Sequence, residues 1–345
     1  MSGTSLDGVD AALVDLGGRT SVLGSEFLPY PKSVKATLLA LHEPRKDELH
    51  RAALAGIELS ALYARAVGRL LNKQSVSPQT VCAIGCHGQT VRHRPGSGYS
   101  LQLGNPAWLA ERTHITVVAD FRSRDIAAGG EGAPLVPAFH AAFFRDSRRH
   151  RVIVNLGGIA NLTNLPAIGS VTGFDTGPGN VLLDAWAREK FGRDFDRGGA
   201  LAARGRPVAV LLKGLLADPY FRRSPPKSTG RDHFDLRWLR RSGAGRHKAE
   251  DVQATLAELT PCSIGEAIAK SCPGAERNTD LVKRIARALA GISVASTERL
   301  GIHPDWVEAT AFAWLAQRAL KHETGSLPEV TGARGARVLG AIYPA

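Results

Sequence analysis

The chain has 345 residues, of which 43% are hydrophobic and 22% charged, and this composition excludes an intrinsically disordered protein. A chain of this length favours two domains over one small core. Its apolar runs fall well short of the roughly 18 residues that a membrane-spanning helix needs, and no basic stretch followed by an apolar segment opens it. We therefore expect a cytoplasmic protein with no membrane partner.

Lysine and arginine outnumber aspartate and glutamate by 44 to 32, which gives a formal net charge of +12. This charge is compatible with nucleic acid or with a small anionic ligand. The basic residues are scattered and not interleaved with aromatic ones, which favours a solvated basic surface and no nucleic-acid partner. The four cysteines, Cys82, Cys86, Cys262 and Cys272, lack metal-finger spacing and are expected as free thiols in a reducing compartment.

Patterns of apolar residues and glycines predict the elements of the first half. Residues 9–16 and 22–28 are typical of two strands around Gly17 and Gly18, which predicts a hairpin. A helical pattern covers residues 47–72. Short apolar runs at 81–85 and 115–119 end in polar or glycine residues, the kind of position where open α/β sheets bind ligands.

The pattern begins again near residue 150, where RVIVNLGGIANLTNL predicts strand, glycine turn and strand, followed by helices from Val181 onward. Further helices are predicted at 249–260, 263–271, 279–290 and 305–321. We predict an α/β protein with an N-terminal lobe of residues 1–150 and a C-terminal lobe of residues 151–345. The two hairpin turns would each hold one side of a polyphosphate, although two unrelated hairpins would show the same pattern.

The segment Gly173-Phe-Asp-Thr-Gly-Pro-Gly-Asn180 holds one acidic side chain, Asp175, in what reads as a glycine-rich turn. Such backbone is suited to close approach to a ligand, and the carboxylate is suited to orient or deprotonate a nucleophile. An ordinary Asp-containing turn before a helix would have the same sequence pattern.

Ten motifs along the chain carry a further signal when they are taken together. They are SGTSLDGVD at 2–10, CHGQT at 86–90, LQLGNP at 101–106, ADFR at 119–122, DIAAGG at 125–130, APLVP at 133–137, NLGGIAN at 155–161, GFDTGPGN at 173–180, PKSTG at 226–230 and WVEATAFAW at 306–314. In these motifs the whole chain resembles the anhydro-N-acetylmuramic acid kinases. The resemblance implies the two-lobed, actin-like ATPase fold of the sugar kinase, Hsp70 and actin superfamily, with a ligand cleft between the lobes.

The resemblance also implies a reaction. ATP and water convert 1,6-anhydro-N-acetylmuramic acid into N-acetylmuramic acid 6-phosphate during peptidoglycan recycling, a part of amino sugar metabolism. Water attacks the anomeric carbon, so a carboxylate must accept its proton, and the departing ring oxygen takes the γ-phosphoryl group. The implied cofactors are ATP and Mg²⁺, and the implied assembly is a homodimer.

By its match to the family motif, Asp175 is the predicted general base. The resemblance places the first phosphate loop in the opening turn and the second in the turn near residue 157. The predicted ATP-binding residues are Gly3, Thr4, Ser5, Leu6, Asp7, Gly8, Val9, Asp10, Asn155, Gly157 and Gly158. Asp7 is also the predicted Mg²⁺ ligand, through water, with a turn-capping aspartate as the alternative.

The predicted sugar-binding residues are His87, Gln89, Arg124 and Glu308. An arginine suits the lactyl carboxylate of the sugar, because it binds a carboxylate through two parallel hydrogen bonds. The resemblance favours Arg124 for this contact, with Arg122 as a structural residue. Glu308 is assigned to accept sugar hydroxyl or amide protons, and a solvated helix glutamate is the alternative.

Two departures from the family pattern bear on function. Family members carry an apolar strand before the Met-Ser-Gly-Thr-Ser segment, and this chain starts at that methionine, so we expect the first phosphate turn to lack support on one side. Between Ala275 and Asn278 the chain lacks the family's apolar strand and Gly-Gly-Gly-Ala turn, which lies against the adenosine. The alternative function is therefore an impaired or inactive family member that binds sugar or a partner.

Overall fold

A computed structural model describes the chain except Thr4, Ser5, Arg19, Glu43, Asp232, 273–276, 279–291 and 294, and gives only the backbone of 277–278 and 292–293. The chain forms two compact units. One consists of Met1–Phe139 and Ser296–Ala345, and the other of His140–Ala295. No helix in the described part of the chain is long and apolar enough to cross a membrane.

The described residues form short strands, all of them paired in small sheets of two or three strands. The strands are β1 (Gly8–Asp15), β2 (Ser21–Pro29), β3 (Ile84–Gly85), β4 (Gln89–Arg94), β5 (Tyr99–Leu103), β6 (Val117–Ala119), β7 (Arg151–Leu156), β8 (Ile159–Leu165), β9 (Thr172–Pro178), β10 (Arg277–Asn278), β11 (Ile292–Ser293) and β12 (Ala341–Tyr343). The sheet orders are β1-β2, β4-β5, β12-β6-β3, β7-β8-β9 and β10-β11.

Helices connect and cover these sheets. They are α1 (Lys32–Ala40), α2 (Glu48–Gln74), α3 (Pro106–Thr113), α4 (Ser123–Ala127), α5 (Val136–Phe144), α6 (Val181–Phe191), α7 (Ala209–Leu216), α8 (Pro219–Arg222), α9 (Leu236–Arg241), α10 (Ala249–Ser271), α11 (Val307–Leu320) and α12 (Pro328–Thr331). The mixture of strands and helices confirms the predicted α/β class. The helix predicted at 279–290 lies outside the described residues. Residues 273–276, where the family's adenosine turn is predicted to be missing, also lie outside them.

The first unit contains the predicted hairpin. Strands β1 and β2 pair antiparallel on either side of Gly17 and Gly18, as predicted. Helix α2 packs against both strands, and its buried residues Leu59, Leu62 and Ala66 belong to the core of this unit. The predicted strands at 81–85 and 115–119 are shorter than expected, since only Ile84–Gly85 and Val117–Ala119 pair.

The C-terminal segment belongs to the first unit, whereas the sequence analysis assigned it to the C-terminal lobe. The reason is the packing of α11, which lies against β1, β3 and β6. Its Phe312 is buried and packs against Phe121 with the two rings tilted by 56° and their centroids 5.4 Å apart. At Gly85 the backbone of α11 comes so close that an added Cβ would lie 2.1 Å from the Phe312 carbonyl oxygen. A glycine is therefore required where this helix crosses β3.

The second unit is built on the antiparallel sheet β7-β8-β9. One face of this sheet is apolar, and its residues Ala160, Leu162 and Phe174 form a buried cluster with Ile264 and Ile268 of α10. This core supports the sheet on the face that packs against α10.

Helix α10 runs unbroken through Pro261, whereas the sequence analysis predicted two helices. A proline inside a helix costs about 3 kcal/mol. Here the helix has buried residues from Val252 to Ile268, Pro261 among them. Burial of apolar side chains along this length offsets the missing hydrogen bond.

All four cysteines are free thiols, as predicted.

Candidate active site

Asp175 lies inside a strand, which corrects the prediction of a turn. Ala160 pairs with Gly177 and Asn161 pairs with Asp175, so one step along β8 matches two steps along β9. Thr176 is therefore the extra residue of a β-bulge, and its hydroxyl donates a hydrogen bond of 3.2 Å to the Ala160 carbonyl. Bulges change the direction of neighbouring side chains, and this one sets the direction of the Asp175 carboxylate.

The loop of residues 226–230 holds Asp175 in place. The Thr229 amide donates to Asp175 Oδ2 at 3.0 Å. The Asp175 amide donates to the Lys227 carbonyl at 3.2 Å. The Tyr220 hydroxyl donates to the Asp175 carbonyl at 2.6 Å. The carboxylate and the backbone of this residue are thus fixed by groups more than forty positions away in the chain.

One residue of this loop, Lys227, is a buried lysine. The Lys227 ammonium donates to the Tyr220 carbonyl at 3.2 Å and lies 4.8 Å from the centroid of the Tyr220 ring. Burial lowers the pKa of Lys227, and the charges of Lys270 and Arg223 lower it further. Burial also raises the pKa of the Tyr220 hydroxyl, with a further contribution from Asp175. The Tyr220 hydroxyl therefore keeps its proton at neutral pH and donates, and Lys227 is a donor in either protonation state.

The sequence analysis gave Thr229, Lys227 and Tyr220 no role. The PKSTG motif carried part of the family resemblance, and it was the available signal for this loop. Thr229 acts through its backbone amide, which any residue type except proline would supply, so its side chain does not reveal the contact.

The predicted second phosphate loop is the turn between β7 and β8. The Gly158 carbonyl accepts from the Gly179 amide at 2.9 Å and from the Val181 amide at 3.0 Å, and the Gly157 carbonyl accepts from the Asn180 amide at 2.9 Å. An added Cβ at Gly179 would lie 2.3 Å from the Gly157 carbonyl oxygen, so this contact requires glycine. The structure thus joins the turn to the start of α6, where the helix dipole favours anions.

The predicted first phosphate loop is described only in part, since Thr4 and Ser5 lie outside the described residues. Leu6 has a left-handed φ of 59° and its amide donates to the Gly3 carbonyl at 3.3 Å. Leu6 and Val9 are buried in the core, so their side chains support the turn and do not face a ligand. An added Cβ at Gly8 would lie 2.4 Å from the Leu28 carbonyl oxygen, which explains glycine there.

Asp7 and Asp10 are the carboxylates of this first turn. The Asp7 side chain is 62% exposed, and its Oδ1 lies 3.7 Å from the Lys35 ammonium. Burial raises the pKa of Asp10. No group of three or more metal-ligating side chains is found among the described residues. Mg²⁺ needs no such group when one carboxylate, several waters and phosphate oxygens surround it, so an exposed Asp7 fits this ion.

His87 is buried and uses both ring nitrogens inside the protein. Its Nδ1 contacts the Gly88 carbonyl at 2.7 Å, and its Nε2 contacts the Arg122 guanidinium at 2.7 Å. Because a carbonyl only accepts and a guanidinium only donates, the ring carries its proton on Nδ1 and accepts at Nε2. Burial and then Arg122 lower the pKa of His87 well below its usual range, so the ring is neutral. Arg122 also donates to the Gly132 carbonyl at 2.6 Å.

The other predicted sugar residues differ in exposure. Gln89 is buried, donates to the Gly3 carbonyl at 3.2 Å and accepts from the Tyr30 hydroxyl at 3.3 Å, so it supports the first phosphate turn. Arg124 is exposed on α4, and Glu308 is partly buried in the first turn of α11. Of the two arginines, Arg122 is held by protein groups and Arg124 faces solvent.

The first unit also contains a cavity of about 660 Å³ between β1, β3, α2 and α11. Its walls include Val14, Leu70, Ile84 and Ala313 and are mainly apolar. A pyranose with several hydroxyl groups needs polar partners, so we do not place the sugar there.

An α/β carbohydrate kinase is expected to have two glycine-bearing hairpin turns. It is also expected to have a firmly held carboxylate on a strand joined to one of these turns. The family described as anhydro-N-acetylmuramic acid kinase matches residues 1–345. The chain therefore belongs to the anhydro-N-acetylmuramic acid kinase family.

Individual relatives bearing that name are similar along their whole length. The relative from Thiobacillus denitrificans is 52% identical, with 100% of this chain and 96% of the relative covered. That from Nitrosomonas europaea is 51% identical and that from Pseudomonas paraeruginosa 50% identical, each with 100% of this chain and 98% of the relative covered. The first alignment spans 359 positions against the 345 residues of this chain, so that relative has 14 aligned positions with no counterpart here.

Proposed function

We propose that this protein converts 1,6-anhydro-N-acetylmuramic acid, water and ATP into N-acetylmuramic acid 6-phosphate and ADP. Family membership supports the substrate and the phosphoryl transfer. The observation that carries the proposal is the position of the Asp175 carboxylate, which accepts a hydrogen bond from the Thr229 amide. Asp175 lies on β9, and the residues that directly follow this strand bond to the Gly157 turn. A fixed proton acceptor near backbone suited to phosphate is what coupled hydrolysis and phosphorylation require.

In the proposed reaction Asp175 acts on water. It accepts one proton as the water oxygen bonds to the anomeric carbon, and the bond from that carbon to the bridging O6 breaks. The O6 oxygen bonds to the γ-phosphorus, and the phosphorus–oxygen bond to ADP breaks. Positioning and charge stabilisation supply most of the catalysis in phosphoryl transfer. The fixed orientation of Asp175 is therefore the protein's main contribution to the attack by water.

Backbone groups supply the proposed phosphate contacts. The residues assigned in the second unit are Asn155, Gly157 and Gly158, next to the N-terminus of α6, and those in the first unit run from Gly3 to Asp10. Mg²⁺, when bound, neutralises phosphate charge, and Asp7 would hold it through water. The exposure of Asp7 supports this role.

The sugar contacts are assigned to the first unit. Arg124 binds the lactyl carboxylate, a proposal supported by its exposure and by the engagement of Arg122 with Gly132 and His87. Glu308 accepts protons from the sugar. His87 and Gln89 belong to the same site, and their hydrogen bonds show how they support Arg122 and the first phosphate turn.

Three further properties complete the proposal. We infer the actin-like ATPase fold of the sugar kinase superfamily, in keeping with the family and the α/β architecture. The reaction belongs to peptidoglycan recycling in the cytoplasm, where ATP is available, and we propose a homodimer as the working assembly.

A coupled ADP-release assay tests the function directly. We expect ADP release with the anhydro sugar, and none above background when the sugar is omitted. Mass spectrometry of the product should show the anhydro sugar plus one phosphoryl group and one water. N-acetylmuramic acid, whose ring bridge is already open, is the matched control, because it tests whether ADP release depends on breaking that bridge. Absence of sugar-dependent ADP release at saturating ATP would favour an impaired family member instead.

A further inference from the structure

A row of three polar side chains crosses the sheet of the second unit. Asn155 on β7 pairs with Asn161 on β8, and Asn161 pairs with Asp175 on β9. Directly paired residues of antiparallel strands point to the same face, with Cβ atoms about 4.5–5.5 Å apart. Asn161 therefore lies between the second phosphate loop and the proposed base.

The row lies on the face of the sheet opposite the apolar core. Ala160 and Leu162, the neighbours of Asn161 in sequence, are fully buried in the cluster with α10. Asn155, Asn161 and Asp175 are only partly buried. A small molecule can therefore reach the polar row without displacing core side chains.

Asn161 differs from the other polar side chains of β8. Thr163 hydrogen-bonds His140 at 2.8 Å, and Asn164 donates to Thr172 at 3.4 Å. The Asn161 side chain has no hydrogen bond within the part of the chain that the structure describes. Because Asn161 is only partly buried, its amide is accessible, and beside a proposed base it is available to bind a ligand.

We propose that Asn161 positions the water molecule that Asp175 deprotonates, an inference that rests on the proposed function. The water donates one hydrogen to the Asp175 carboxylate and the other to the Asn161 amide oxygen. Its lone pair then points away from the sheet, towards the anomeric carbon. A carboxylate has about four acceptor sites, so Asp175 accepts from this water as well as from the Thr229 amide.

The amide suits this position chemically. During the reaction one water proton moves to Asp175 while the new oxygen–carbon bond forms and the bond to O6 breaks. The second hydrogen stays on the oxygen and becomes part of the new hydroxyl. Asn161 needs only to accept a hydrogen bond, and as a neutral group it does so without opposing the ionisation of the base, which a second carboxylate would do.

The test compares Asn161→Ala with Asn164→Ala on the same strand. For Asn161→Ala we expect kcat to fall about 10²-fold, the usual cost of a misplaced reactant, with KM for ATP and sugar changed less than about threefold. With methanol added, the ratio of methyl glycoside 6-phosphate to N-acetylmuramic acid 6-phosphate should rise, because the removed amide leaves room for the methyl group. Asn164→Ala should change stability but neither kcat nor this ratio.

Asn161→Asp is the second variant, with the same shape and an acceptor retained. It should be more active than Asn161→Ala at alkaline pH, and the acid limb of its kcat profile should shift to higher pH through repulsion between the two carboxylates. This variant carries the test if Asn161→Ala does not fold. Unchanged kcat in Asn161→Ala, or a raised KM for ATP at unchanged kcat, would overturn the inference while the wild type stays active. An inactive wild type would reject the proposed function and this inference with it.

Discussion

A carboxylate can take a proton from water efficiently only when its orientation is fixed, and Asp175 is held at three atoms. Its amide, its carbonyl and its Oδ2 each have a partner in the segment from Tyr220 to Thr229. The bulge at Thr176 sets the direction of the side chain. At the residue scale, Asp175 therefore has the fixed orientation that the proposed base requires.

Asp175→Asn keeps the shape and removes the proton acceptor. We expect kcat to fall by about 10² to 10⁴-fold, the usual contribution of a positioned general base. The ADP-release assay measures it, and Asp194→Asn, at an exposed aspartate of the same unit, is the matched control. Turnover above half of the wild-type value in Asp175→Asn would refute the assignment.

Residue type predicted the carboxylate of this site but not the groups that hold it in place. Asp175 was identified because it is the only base in a glycine-rich segment. The Thr229 contact was missed because it comes from a backbone amide 54 positions away. The hydrogen bond between Arg122 and His87 was missed for the same reason, because the two residues are far apart in the sequence and meet only in the folded chain.

At the scale of elements, the turn between β7 and β8 depends on the start of α6. Three backbone hydrogen bonds join Gly157 and Gly158 to residues 179–181. This contact keeps the proposed phosphate loop in one conformation, because peptide groups and not flexible side chains form it.

Gly179→Ala tests this contact. The new methyl group would meet the Gly157 carbonyl oxygen at 2.3 Å, so the turn must move. We expect a loss of about 1–3 kcal/mol in the free energy of unfolding, as in overpacked sites, and a higher KM for ATP. Urea unfolding and the ADP-release assay measure the two effects.

Gly214→Ala is the control for this experiment. Gly214 lies in α7 with nothing within 4 Å of an added Cβ. Alanine should stabilise the helix by about 0.5–1 kcal/mol and leave KM for ATP unchanged. Equal effects of both variants would mean that the Gly179 contact does not support the loop.

Element prediction succeeded where local patterns decide and failed where packing decides. The β1-β2 and β7-β8 hairpins were predicted from alternation and glycine turns. Helix α10 was predicted as two helices because Pro261 is a helix breaker in isolation, and the buried face of the whole helix keeps it intact. Residues 173–178 were predicted as a turn from their glycines, and pairing with β8 makes them a strand.

At the scale of the whole molecule, a buried histidine links folding to pH. His140 is 2% exposed, and its Nδ1 lies 2.8 Å from the Thr163 hydroxyl. Burial lowers the pKa of His140 from 6.5 to about 3. Between these values the unfolded chain binds a proton that the folded chain does not, so stability is full above pH 6.5 and falls as the pH drops towards 3.

For the wild type we expect His140 to contribute a loss of about 1.4 kcal/mol per pH unit below its unfolded pKa. Urea unfolding at several pH values from about 7 to about 4 measures the slope. His140→Gln should have a shallower slope. His50→Gln, at an exposed histidine, should have the wild-type slope. Identical slopes for all three proteins would contradict the link.

The sequence by itself determined the family, the α/β class and the two glycine-bearing hairpins, and it singled out Asp175 as the proposed base. These depend on residue types and on neighbours within a few positions, so a linear pattern contains them. Only the tertiary structure decided that residues 296–345 join the first unit, that Asp175 lies in a bulged strand, and that Thr229 and Asn161 flank it. Those features depend on backbone hydrogen bonds, strand register and helix packing between distant segments, which side-chain identity alone does not encode.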